Sequence, residues 1–98
     1  MLEWLQKWYL EQCDGEWEHE YGVMIQTLDN PGWMVTIDLS FTDIQDLDIP
    51  YTLNEISDDD WIGFLVEKKK FIGSSDPKRL NEILILFKKI WESNVKQE

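Results

Sequence analysis

One cysteine, Cys13, and one histidine, His19, occur in the 98 residues, and both lie in a run of acids: Glu11, Asp14, Glu16, Glu18 and Glu20. A cysteine attacks through its thiolate, which needs nearby cations or a helix N-terminus. Cys13 instead follows a stretch that reads as a helix, so it meets the negative end of the helix dipole and a ring of carboxylates. Both oppose ionisation, and an inert thiol is the expectation. One Cys and one His cannot complete a structural zinc site, and no His-Glu-x-x-His spacing is present. The acids between residues 43 and 48 lack the glycine and closing glutamate of a calcium loop. The glycines stand singly, without the spacing of a phosphate loop. With 20 Asp and Glu, close carboxylate pairs arise by chance and give no support to a glycosidase pair. The sequence therefore nominates no catalytic residue, no metal ligand and no cofactor. The enzymatic alternative is a small metal-assisted hydrolase centred on Asp14, Glu16 and His19.

The aromatic residues of the same stretch point elsewhere. In Glu16-Trp17-Glu18-His19-Glu20-Tyr21, rings alternate with acids at a period of two, as on an edge strand whose glutamates share one side. Packing of that aromatic face inward is the weightier reading of these rings, but Trp and Tyr bordered by charge also suit an interface anchor. Asp14, Glu16, Trp17, Glu18, His19 and Glu20 are accordingly the candidate partner-binding residues. Charge says what kind of partner. The formal net charge is −11 and the sequence pI about 4.3. Residues 1–60 hold 15 acids and 1 base, and residues 61–98 hold 5 acids and 8 bases. Such a field argues against nucleic acid and anionic membranes and favours a basic protein surface.

These residues need elements to hold them. Residues 2–12 read as a helix, with Leu2, Trp4, Leu5, Trp8 and Tyr9 on one broad face and Gly15 as its stop. Val23 to Leu28 reads as a strand. Asp29-Asn30-Pro31-Gly32 is turn chemistry, and from Trp33 the alternation of Trp33, Val35, Ile37 and Leu39 marks a half-buried strand, completing a hairpin. The acidic segment 42–60 supports one irregular strand near 50–56. Residues 61–66 and 70–73 are further strands around a turn. Asp76-Pro77 then predicts the start of a last helix, with Asp76 as N-cap and Pro77 at the first helical position. Its stripe is Leu80, Ile83, Leu84, Phe87, Ile90 and Trp91. Trp8, Trp33, Trp61 and Trp91 fall at core-facing phases.

Consecutive strands between two terminal helices give an α+β fold: an antiparallel sheet of about four to five strands flanked by an N-terminal and a C-terminal helix. The length suits a single domain spanning residues 1–98. No apolar run approaches the roughly 18 residues that cross a bilayer, and no signal-peptide pattern opens the chain. With its lone cysteine, a cytoplasmic protein is the expectation.

Three stretches, Leu2-Glu3-Trp4-Leu5-Gln6-Lys7-Trp8-Tyr9, Cys13-Asp14-Gly15-Glu16-Trp17-Glu18-His19 and Thr27-Leu28-Asp29-Asn30-Pro31-Gly32-Trp33, resemble the immunity protein 53 family of bacterial polymorphic toxin systems. The likeness is densest over residues 2–40 and continues through Asp60-Trp61 and Asp76-Pro77 to the last helix. It implies a small antidote, not an enzyme, that binds and blocks a cognate toxin domain. Many such toxins are nucleases with basic clefts, which an acidic domain is suited to occlude.

Overall fold

The computed structural model describes residues 1–95. Trp4, Leu5 and Trp8 lie on one side of the N-terminal helix α1 (Leu2–Gln12), where Leu5 and Trp8 are buried. The stripe is narrower than its sequence suggests, since Leu2 and Tyr9 are exposed. A single helical turn, α2 (Trp17–Glu20), follows. Five strands come next: β1 (Val23–Leu28), β2 (Gly32–Asp38), β3 (Ile49–Ser57), β4 (Asp60–Glu67) and β5 (Lys70–Ser75). Helix α3 (Leu80–Asn94) follows β5. All pairings are antiparallel, in the order β1-β2-β5-β4-β3. The fold is therefore α+β, with the N-terminal and C-terminal helices expected from the two apolar stripes.

The register divides the sheet into two faces. Val35 and Ile37 of β2, Phe71 of β5 and Phe64 and Val66 of β4 share the face that α3 covers. There Phe87 meets Phe71 with ring centres 5.1 Å apart, and Ile83, Leu84 and Ile90 complete the buried side of α3. Alternation along each strand sends the other residues to the opposite face. Trp61 belongs to that opposite face, because it pairs with Glu55 while its neighbour Ile62 packs on the core. Its expected core-facing phase is thus corrected. Residues 61–66 are almost all apolar, and such a run carries no phase of its own. Trp33 keeps its expected face but is only half-buried, with its indole N–H donating to the Pro77 carbonyl at 3.0 Å.

Two more expectations change. The stretch Glu16–Tyr21 is not an edge strand: it forms α2, and Tyr21 is extended only beyond it. The last helix starts at Leu80, later than Asp76-Pro77 indicates. Asp76 has other work. It is 1% exposed, and its Oδ2 accepts the Trp61 amide and the Arg79 Nε, both at 2.9 Å, while Oδ1 accepts the Lys78 amide at 2.8 Å. Its own amide donates to the Trp61 carbonyl at 3.1 Å. The carboxylate thus stitches the start of β4 to the approach of α3, and Arg79 extends the stitch to Asp60 and Glu82. The acidic segment after β2 crosses to the far edge of the sheet, buries Leu39 and Ile44, and becomes the nine-residue β3. That strand is longer than the 50–56 read from sequence.

Replacing Trp8 with Ala should cost about 3–5 kcal/mol, the usual range for a buried large aromatic. Trp33→Ala should cost less, because its ring is only partly enclosed. Urea denaturation of the two variants checks the order, and a greater loss at Trp33 would contradict its marginal placement.

Candidate functional site

The candidate residues are ordered by carboxylates that bind backbone. After α1 the chain turns at Gly15, whose φ of 96° is one that side chains resist. Asp14 Oδ1 accepts the amides of Glu16 and Trp17, each at 2.9 Å. Glu18 reaches back: its Oε1 accepts the Asp14 amide at 3.0 Å, and its Oε2 the Gly15 amide at 3.0 Å. The arrangement is reciprocal, as in a capping box, and satisfies four amides at the entry to α2. The Trp17 amide first, then that of Glu16, hold the Asp14 carboxyl below its usual range. Glu18 is lowered too, by its own amide first and then by those of Asp14 and Gly15.

Trp17 is 5% exposed and fixes α2 to the body of the protein. Its indole N–H donates to the Ser40 carbonyl at 2.8 Å, and its ring lies 6.1 Å from Trp8 and 5.9 Å from Tyr21. At that exposure Trp17 follows the packing reading of its ring and forms a wall of the site rather than an exposed anchor. The exposed aromatic beside α2 and Tyr21 is Phe41, at 77%. Its φ of 61° is a rarely adopted conformation for a bulky residue. The amide of Phe41 donates to Gln45 Oε1 at 3.1 Å, and its ring lies 6.0 Å from that of Tyr21. Strain of this kind, about 1–3 kcal/mol, persists only where surrounding structure enforces it and clusters at functional sites.

Asp14, Glu16, Trp17, Glu20, Tyr21 and Phe41 together line a recess of about 330 Å³. The fold therefore brings Asp14, Glu16, Trp17 and Glu20 to one place. It turns Glu18 into the capping bonds and leaves His19 exposed on α2 outside the recess. Phe41 was not among the residues nominated from sequence. The sequence signal for it is slight: one aromatic in the polar run Ser40-Phe41-Thr42-Asp43. Chemically, the recess offers carboxylates above aromatic surface, a combination that receives a lysine or arginine side chain. It does not offer a nucleophile. The Cys13 thiol is half-buried and donates to the Tyr9 carbonyl at 3.3 Å. Among the described residues, no three His, Cys, Asp or Glu side chains converge as metal ligands, and Asp14, Glu16 and His19 do not form such a set.

Comparison with known families matches residues 2–92 to the one described as Immunity protein 53. No curated protein and no solved structure matches the chain.

The capping carboxylates set a pH dependence. Their lowered values mean that the stability they contribute is complete above the ordinary carboxylate range near pH 4 and is lost as pH falls through and below it. The protection of the Glu16 and Trp17 amides from exchange, relative to their intrinsic rates, should fall on acidification below about pH 4, and Glu18→Gln should lower that of the Asp14 and Gly15 amides already at neutral pH. Protection factors that stay flat between pH 6 and pH 3 at all four positions would contradict the capping roles.

Proposed function

Because the chain belongs to the immunity protein 53 family, we propose that it binds a cognate toxin domain and blocks it by occupying its working surface, with no chemistry of its own. The family match over residues 2–92 carries this reading. The recess beside α2 supports it, since an acid-rimmed aromatic hollow suits a basic side chain of a partner. The net charge of −11 supports a basic toxin, with a nuclease cleft as the fitting class, because opposite fields raise the association rate. The protein acts in the cytoplasm, where a lone thiol stays reduced. No described helix is long and apolar enough to cross a membrane.

Of the six candidate residues, Glu16 and Glu20 are the proposed charge contacts, and Asp14 adds charge while holding the loop. Trp17 and Glu18 shape the site from behind. His19 stands on the exposed side of α2 and contributes at the rim of the contact. Phe41 is the proposed aromatic anchor.

Co-expression with the toxin domain encoded beside it should rescue growth and yield a stoichiometric complex. Glu16→Lys with Glu20→Lys should slow association about tenfold or more at low salt, and raised salt should weaken the wild-type pair in the same direction. Phe41→Gly should weaken the complex while leaving the melting temperature unchanged or higher, because it relieves the left-handed strain. Cys13→Ser should protect cells as well as the wild type. Loss of protection in Cys13→Ser, with full protection by the double reversal, would defeat the proposal.

A further inference from the structure

The face of the sheet turned away from α3 has no helix on it among the described residues. It nevertheless carries a run of apolar side chains among Gln26, Thr36 and Ser74. Met24, Met34, Ile72, Leu65, Leu53 and Trp61 occupy its rows by register, and none of them joins the core. Met24 is 58% exposed and Leu53 46%. Its charges are few. Asp38 is neutralised by Lys70 at 3.7 Å, which leaves Glu55 and Glu67. Soluble proteins seldom leave such a patch without a use.

One corner of this face is built more firmly than the rest. Asn30, Tyr51, Leu53, Glu55, Asp58 and Trp61 line a recess of about 460 Å³. Trp61 is held there by both its backbone groups, which bond to Asp76. The hydroxyl end of the Tyr51 ring lies against Gly63, where an added Cβ would come 2.7 Å from the hydroxyl. The absence of a side chain at Gly63 lets the ring approach the strand this closely. Among the described residues neither Glu55 nor Asp58 has a basic partner. The corner therefore presents two aromatic rings and two unpaired carboxylates, held on a rigid strand pair.

Resting on the immunity reading above, we propose that this helix-free face is the main docking surface for the toxin, and that the Trp61 corner receives a lysine or arginine from it. Three observations select that occupant. The ring-and-carboxylate chemistry is that of a cation seat. The face spans about 19 Å across its five strands and about 20 Å along them, a broader platform than the α2 recess with its six lining residues. A second copy of this chain would bring another −11 against the first. The row also runs on toward α2: Asp38 Oδ2 accepts the amide of Gly22 at 3.0 Å, next to Tyr21 of the first recess.

The test is the dissociation constant for the purified, catalytically disabled toxin domain encoded beside the chain. Trp61→Ala should weaken binding by about 30-fold or more, as central aromatic anchors do. Glu55→Lys with Asp58→Lys, at exposed positions that leave folding intact, should weaken it by at least tenfold. Thermal unfolding of each variant confirms a folded chain. If the double reversal binds within threefold of wild type while the Glu16 and Glu20 reversal does not, this inference falls and the immunity reading stands. If the wild type does not bind the toxin, both fall. If the wild type is a dimer in sedimentation and Trp61→Ala makes it a monomer, the occupant is a second copy and the inference is overturned.

Discussion

One indole at the centre of the molecule joins its helices to its sheet. Trp8 is 2% exposed and packs at nearly right angles to three rings: Trp17 at 81°, Phe87 at 90° and Trp91 at 88°. Edge-on packing of this kind is favoured by the ring quadrupoles, beyond the area it buries. Trp17 belongs to α2, and Phe87 and Trp91 to α3, so a single side chain of α1 ties three helices together. Phe87 passes the tie on to Phe71 in the sheet. The recess beside α2 inherits its position from this cluster, because Trp17 is at once a wall of the recess and a member of the core.

Acids in this protein do two kinds of work, and burial and backbone contact distinguish them. Asp76 is enclosed and spends its oxygens on β4 and the approach to α3. Asp14 and Glu18 lie near the surface but spend theirs on four amides around Gly15. Asp38 accepts the Gly22 amide, and Asp60 and Glu82 pair with Arg79, while the other surface carboxylates supply the field. A charge of this size concentrated in the first 60 residues therefore does not translate directly into a binding surface. Some of its members are committed to the backbone, and reversing those would report on folding before binding.

What the sequence reveals follows one-sided burial. The stripes of α1 and α3 and the alternation of β2 are legible because each has water on one side and core on the other. Trp61 to Val66 is apolar on both faces, so its existence as a strand is legible and its phase is not. Trp17 and Tyr21 are four apart, a spacing that satisfies both a period of two and a helical turn. The acids between them kept the strand reading alive, and the reciprocal caps of Asp14 and Glu18 decide for the helix. Asp76-Pro77 has the local form of a helix start, but the carboxylate is drawn away by the Trp61 amide, a partner that local pattern cannot display. Phe41 sits alone in a polar run with no periodicity to flag it. The acids of the candidate site and Trp17 were thus readable, and Phe41 was not.

The distribution of the six tryptophans also makes the molecule its own optical instrument. Trp8 lies 5.4 Å from Trp91 and 6.1 Å from Trp17, close enough for their excited states to couple. Their transitions add aromatic bands to the far-ultraviolet circular dichroism, so the apparent helix content will read falsely unless that contribution is removed. Excitation absorbed within the cluster migrates among its members, and emission from it follows the core as a unit. Trp61, on the other side of the sheet, stands apart from that exchange. Its emission is the separate channel in which an event on the helix-free face becomes visible without disturbing the signal from the interior.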